Sequence, residues 1–224
     1  MTLVQEAYMA RADEYIELFG SIQATHPTDR ELVTRWAAGV QGRILDLGCG
    51  PGQWTQLLHA QGCDVYGVDP VAAFVEHARG HFPDVSYAHG TAQHLDEPAG
   101  ALGGVLAWYS LIHLPPTEFD DVLTEVARCV RPGGGLLLGF FEGPTNEPFD
   151  HAIVTAHWWP IAELSARVTR AGFTVTETQT RTDPGRRPHG AVVAVRGPHI
   201  NHDQTAPHRD QMAPDPSPAH DTGR

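Results

Sequence analysis

The stretch Arg43-Ile44-Leu45-Asp46-Leu47-Gly48-Cys49-Gly50-Pro51-Gly52 reads as a buried strand that stops in a glycine loop. Glycine at 48, 50 and 52 lets the backbone turn tightly and leaves N–H groups free to approach a ligand. Helical spacing begins directly behind, at Trp54, Leu57 and Leu58, and closes at Gln61-Gly62. Strand, glycine loop and helix in that order make a nucleotide-binding arrangement. The spacing is G-x-G-x-G with Pro51 inside the loop, which departs from the G-x-G-x-x-G of dinucleotide sites.

Downstream, Asp64 to Val68 is a second strand ending in Asp69-Pro70, and Val71, Phe74, Val75 and Ala78 form an amphipathic helix. Val85 to Ala88 is a third strand, running into His89-Gly90-Thr91-Ala92. Gly104 to Leu111 is apolar throughout, as for a strand buried on both faces. Phe119, Val122, Leu123, Val126 and Val130 follow at helical spacing, then a turn at Arg131 to Gly135 and a fifth strand at Leu136 to Phe141. Five alternations of strand and helix predict a parallel sheet covered on both sides. A loop-rich segment spans 143–157, and a helix follows Pro160. Phe173 to Thr178 and Ala191 to Val195 are joined through Asp183-Pro184-Gly185, too short a link for a crossover helix, so they form an antiparallel hairpin.

Upstream, Val4, Tyr8, Arg11, Tyr15 and Leu18 share one helical stripe. Thr28 and Glu31 have the spacing of a capping box opening a second helix. The expected fold is therefore α/β: a Rossmann-like, doubly wound sheet of about seven strands, its last pair an antiparallel hairpin, with two helices added in front. Residues 1–38 form the helical addition, either a packed layer or a lid over the ligand. Residues 39–197 form the main domain, and 198–224, rich in Pro, His and Asp, read as a disordered tail.

The net charge of −12 counts against nucleic acid and against an anionic membrane surface as partners. Cys49, Cys63 and Cys129 lie too far apart for a disulfide framework or a zinc knuckle, which suits a reducing cytoplasm. The irregular histidines of the tail do not suggest a metal site. No signal peptide and no apolar run of spanning length is legible.

Ligands of such sheets bind at the carboxyl ends of the strands, where strand order reverses. The glycine loop, with Asp46 before it, falls there. So does Asp69, 21 residues beyond Gly48 (69 − 48), where a carboxylate can accept from two vicinal ribose hydroxyls. Gly90, Thr91 and Ala92 are placed to border an adenine.

Ile44 to Trp54 (ILDLGCGPGQW), Val65 to Pro70 (VYGVDP) and Arg131 to Leu138 (RPGGGLLL) resemble the class I S-adenosylmethionine-dependent methyltransferases. The resemblance covers roughly residues 1–196 and makes 39–197 a methyltransferase domain. Leu102 to Pro116 (LGGVLAWYSLIHLPP), His157-Trp158-Trp159-Pro160 and Ala171-Gly172-Phe173 look like a group of small bacterial, actinobacterial-looking enzymes of the type 11 kind. The resemblance implies S-adenosylmethionine as cofactor. It implies that Gly48, Cys49, Gly50 and Gly52 line the methionine and ribose, that Asp69 and Pro70 meet the ribose, and that Ala92 flanks the adenine. Tyr8 and Tyr15 resemble an aromatic pair near the cofactor's amino-acid end. Two departures stand out: Thr91 where many relatives carry an acid, and Leu102-Gly103 where many carry Phe-Asp.

A sulfonium methyl donor is already activated, so the protein must chiefly align the acceptor and exclude water. His113, at the rim after the fourth strand, is the candidate base; its alternative role is a hydrogen bond to loop backbone. Tyr109 and Ser110 should neighbour the cofactor. Glu142, His151, His157 and Trp158 fall on the expected acceptor side, with Trp158-Trp159 either walling an acceptor or seating the next helix. The expected activity is methyl transfer to a small molecule by a monomer or homodimer. The competing readings are a nicotinamide-dependent oxidoreductase and a non-catalytic S-adenosylmethionine-binding regulator.

Overall fold

The computed structural model describes residues 2–198. The expected tail at 198–224 lies, beyond its first residue, outside the described residues. Three helices precede the sheet: α1 (Leu3–Ala10), α2 (Ala12–Phe19) and α3 (Pro27–Gly39). The predicted single first helix breaks at Arg11, whose φ of −124° and ψ of 24° leave helical space. The predicted capping box at Thr28 does not form. Pro27 opens α3, pre-set for a first helical position, and the His26 ring caps it by accepting from the Thr28 amide at 3.2 Å. A capping box does occur at Thr2 and Gln5, at the start of α1.

The sheet alternates with helices as β1 (Ile44–Leu47), α4 (Gln53–Ala60), β2 (Val65–Asp69), α5 (Ala72–His81), β3 (Ser86–His89), β4 (Leu102–Trp108), α6 (Pro116–Cys129) and β5 (Val130–Phe141). Then come a short pair, β6 (Pro148–Phe149) and β7 (Ala156–His157), helix α7 (Ile161–Arg170), and the hairpin β8 (Phe173–Arg181) and β9 (His189–Arg196). Among the described residues, seven strands form one sheet in the order β3-β2-β1-β4-β5-β9-β8. β9 is antiparallel to β8, as the hairpin required, and also to β5.

Two connections differ from the sequence reading. The link from β3 to β4 carries no helix, so strand–helix alternation lapses once; Leu95 in that link is buried, and its amide donates to Glu125 Oε1 at 2.8 Å. Arg131 to Gly135 is a bulge inside β5 rather than a turn ahead of it. Leu102 pairs with Val130 but Gly104 with Gly135, so extra residues loop out of the ladder.

Burial on both faces follows from the period of two along each strand. Ile44 and Leu137 face the layer of α3 and α4, with Trp36, Trp54 and Leu58. Leu45, Leu136 and Leu138 face the layer of α6 and α7, with Phe119, Leu123, Leu164 and Val168. Each such Phe, Leu or Val contributes about 1.5–3 kcal/mol by burial. Chain order runs from β1 outward to β3 and then returns to β4, so the strand order reverses between β1 and β4. The glycine loop stands at that point. No helix of the described residues is long and apolar enough to cross a membrane.

Candidate active site

Gly48 begins the loop with φ at +72°, and a Cβ there would stand 2.2 Å from Ser110 Cβ. Only glycine fits both demands, so the loop after β1 closes directly against the end of β4. The Gly48 and Cys49 amides donate to the Val68 carbonyl at 2.7 and 3.1 Å, which fastens the loop to β2. Next, the Gly50 amide donates to Asp69 Oδ2 and the Val71 amide to Asp69 Oδ1, both at 2.8 Å. The Asp69 carboxylate is thus pinned at the rim with a lone pair left on each oxygen. Burial raises its pKa to about 6, against the pull of these two amides and of His89.

The two N-terminal tyrosines come together over this rim. Tyr15 and Tyr8 meet edge to face at 5.4 Å between centroids, and both pack on Phe74 of α5. A Cβ on Gly50 would stand 4.0 Å from Tyr15 Cε1, so the ring sits close above the loop backbone. Burial, then the Asp69 charge, lifts the Tyr15 phenol to about 12; burial, then Tyr15 and Asp69, lifts Tyr8 further still. Both hydroxyls therefore stay protonated and can donate.

Asp46, expected at the ligand, points below the loop instead. It is 1% exposed and accepts from Thr55 Oγ1 at 2.6 Å, bracing α4 against β1. Burial raises its pKa to about 7, with Thr55 opposing and Asp69 adding to the rise. The Cys49 side chain also turns inward, against Gly67, so only its backbone borders the rim. Gly52 caps α4, and its carbonyl accepts from the Tyr87 hydroxyl at 3.3 Å. Pro70 offers its carbonyl to His89 Nε2 at 3.0 Å, while Thr91 bridges His94 and Ala92 packs on the core beside them.

Beyond β4, Ser110 Oγ is buried without a hydrogen-bond partner. Tyr109 has φ at +59°, the one positive value among non-glycine residues described, and a strained conformation costs about 1–3 kcal/mol. That turn sends its ring away from the glycine loop. It meets Phe141 at 5.1 Å, and its hydroxyl pairs with His189 Nδ1. Tyr109 therefore packs with Phe141 and His189, in the region where Glu142 and Trp158 also lie.

His113 is held at both nitrogens. Nδ1 lies 2.9 Å from the Thr155 carbonyl and must donate there, so Nε2 accepts the Tyr8 hydroxyl at 2.8 Å. Burial keeps the ring neutral by lowering its pKa, with the Thr155 bond opposing and His157 assisting. Of the expected alternatives at His113, the bond to loop backbone is the one present, and the basic lone pair is already occupied by Tyr8 of α1.

The acceptor-side expectations fall into one region. Trp158 stacks on Phe149 at 4.2 Å, whereas Trp159 is fully buried against Phe119, so the dipeptide divides between rim and core. His151 lies 5.3 Å from His113 and 5.7 Å from Phe141 between ring centroids. His157 donates its amide to the Ile112 carbonyl at 2.9 Å, and Glu142 donates its amide to the Pro188 carbonyl at 3.0 Å. The Nδ1 atoms of His151 and His157 are buried without partners. Phe141, Phe149, Arg187 and His189 join this region unannounced by the sequence. The pairing of β9 with β5 sets His189 opposite Phe141.

Comparison with known proteins agrees with this geometry. Residues 44–134 match a family described as a methyltransferase domain. The chain is 28% identical over 142 residues to an uncharacterized methyltransferase of Synechocystis, covering 59% of this chain and 67% of that protein. It is 30% identical over 154 residues to the ubiquinone biosynthesis O-methyltransferase of Azorhizobium caulinodans, covering 60% of each. The matched stretch spans between 37% and 67% of these and similar relatives' own lengths. Among solved structures, it resembles the 1,6-didemethyltoxoflavin-N1-methyltransferase of Burkholderia thailandensis, bound to its acceptor and to S-adenosylhomocysteine. That likeness has a TM-score of 0.69 at 20% identity and covers 88% of this chain and 91% of the other, which carries the fold. With the glycine loop, the pinned Asp69 and this strand order, residues 44–134 carry a methyltransferase domain within the class I methyltransferase fold.

Proposed function

We propose that this protein transfers the methyl group of S-adenosylmethionine to a small-molecule acceptor by direct in-line displacement. The observation that carries the reading is Asp69. Its carboxylate is pinned by the Gly50 and Val71 amides, and Tyr15 packs close above Gly50 with Tyr8 against it. A carboxylate so fixed suits the two hydroxyls of a ribose, and the phenols above it suit the polar amino-acid end. The unpartnered Ser110 Oγ offers one more hydrogen bond beside Gly48. Thr91 and Ala92 border the adenine, and the Thr91 hydroxyl takes the position of the acid that many relatives carry.

The bound cofactor supplies an activated methyl group on a sulfonium. The chain's own residues supply position and dryness: Tyr8, Tyr15 and Phe74 close the site from above, and His113 ties that cover to Thr155. Alignment of this kind is worth roughly 7–11 kcal/mol of a barrier. A small acceptor is supported by the named activities of the Azorhizobium and Burkholderia relatives.

The test combines binding and transfer. S-adenosylhomocysteine should raise the melting temperature where NADH does not, and methyl-labelled S-adenosylmethionine incubated with fractionated extract should label the low-mass fraction. Stabilisation by NADH alone, or label confined to macromolecules, overturns the proposal.

A further inference from the structure

Resting on the methyl-transfer reading above, we propose that the acceptor is a planar aromatic molecule bearing a hydroxyl group. It would sit against Phe141, Phe149 and Trp158, with His151 taking the hydroxyl proton as the methyl group arrives.

The rings come first. Phe141, at the end of β5, meets Phe149 at 5.5 Å, His151 at 5.7 Å and Trp158 at 6.2 Å between centroids. All four rings are half-buried, unlike the neighbouring Trp159, which fills the core. Large apolar rings held at a rim in mixed stacked and edge-on geometry form a surface for another flat ring. They stand at the carboxyl end of β5, two strands from the glycine loop after β1.

Charge then selects the kind of ring. The Arg187 guanidinium lies 4.9 Å from the Phe149 centroid and 5.9 Å from that of Phe141, and its hydrogen bond goes to the Asp150 carbonyl rather than to a carboxylate. This fixed cation beside the rings repels an ammonium acceptor. It favours an electron-rich ring whose oxygen gains negative charge during reaction.

The proton needs a destination, and three histidines are near. His113 has both nitrogens engaged, so it takes a proton only if Tyr8 lets go. His157, whose Nδ1 is likewise buried and unpartnered, is held by its backbone to Ile112 and opposite Pro148 and stacks on none of these rings. His151 lies within it, its Nδ1 buried and unpartnered, a costly state that a ligand hydroxyl would relieve. Burial, then His113 and Arg187, lowers its pKa to about 4, so the ring is neutral with its lone pair free at neutral pH. An oxyanion developing beside it offsets part of that burial.

The step balances. The acceptor oxygen bonds to the methyl carbon while the carbon–sulfur bond breaks, its electron pair remaining on sulfur. The hydroxyl proton passes to His151 and then to water. The products are an aryl methyl ether, the neutral thioether and one proton.

The test uses the full chain with methyl-labelled S-adenosylmethionine and the probes catechol, 1-naphthol and 8-hydroxyquinoline, against ethanolamine and 1-hexanol. Label should enter the aromatic probes as methyl ethers. His151→Gln should lower kcat by about 10²–10⁴-fold and remove the acid limb of the pH–rate profile. Trp158→Ala should raise the KM for the aromatic probe at least about tenfold. Both variants should retain the wild-type affinity for S-adenosylhomocysteine. Label only in ethanolamine or hexanol, no label in any aromatic probe, or an unchanged rate and pH profile in His151→Gln overturns the inference. Wild-type failure to bind S-adenosylhomocysteine would instead overturn the methyl-transfer reading on which it rests.

Discussion

The Tyr8 hydroxyl donates to His113 Nε2 at 2.8 Å, joining residues 105 positions apart. The direction is fixed because His113 Nδ1–H serves the Thr155 carbonyl. A single imidazole therefore links α1, the loop after β4 and the segment before β7, and Arg11 repeats the link by donating to the Ala152 carbonyl. The N-terminal helices and the 152–155 segment are thereby tied to the loop after β4. Tyr8→Phe removes one partly buried hydrogen bond, worth about 1 kcal/mol, or roughly fivefold in affinity for S-adenosylhomocysteine. Hydrogen exchange across 3–19 and 151–157 should speed up together in this variant and in His113→Ala. In the double variant the two losses should be less than additive; simple addition would show that the bond couples nothing.

The buried carboxyls predict how stability follows pH. Asp69 is raised to about 6 and Asp46 to about 7, each chiefly by burial. An unfolded Asp ionises near about 3.9. Between those limits the folded protein holds protons that the unfolded chain has released. The stability they contribute is therefore full at low pH and lost as pH rises through about 6 to 7. Asp46→Asn should remove the upper part of that decline in the ligand-free melting temperature, read as the difference from wild type across the window. Affinity for S-adenosylhomocysteine should move the other way, rising as Asp69 ionises and can accept from ribose hydroxyls. Flat profiles for both quantities would refute the burial argument.

Gly48 tests the join between β1 and β4. Alanine there meets a positive φ and a Ser110 Cβ at 2.2 Å, both set by backbone rather than by a movable side-chain tip. Gly48→Ala should destabilise by more than about 2 kcal/mol, with loss of S-adenosylhomocysteine binding. Ser110→Gly in the same chain should restore part of the stability, since it removes the atom that clashes. No rescue would place the strain in φ alone.

The sheet was legible because its strands are continuous apolar runs and its glycine loop has a mechanical reason to be glycine. The place of Asp69 at the end of β2, behind the loop, was legible from the same strand pattern. Asp46 misled, since its spacing to the loop suits a ligand but Thr55, nine positions on, captures it once α4 forms. Tyr109 misled because a left-handed turn of a bulky residue is not written in any pattern of neighbours. Phe149, Arg187 and His189 were hidden because their meeting depends on hairpin register and on the β6–β7 pair. Those contacts span tens of residues and leave no periodicity behind.

Asp29 shows how a local reading can miss a distant partner. It lies inside the expected capping box, in the first turn of α3, and its carboxylate pairs with Arg181 at the end of β8. The pair ties α3 to the edge of the hairpin, and its side chains are 20% and 13% exposed for Arg181 and Asp29. Arg181 also reaches Asp183 at 2.8 Å, so it serves two acids at once. Arg181→Met strands the more buried acid and should cost about 1–3 kcal/mol, allowing for partial solvent screening. Asp29→Asn leaves Arg181 paired with Asp183 and should cost less. Urea titrations of both variants decide this: equal losses would mean that the bond to Asp29 alone carries the attachment, and no loss in either would mean that α3 is held by Trp36, Val33 and the sheet beneath them.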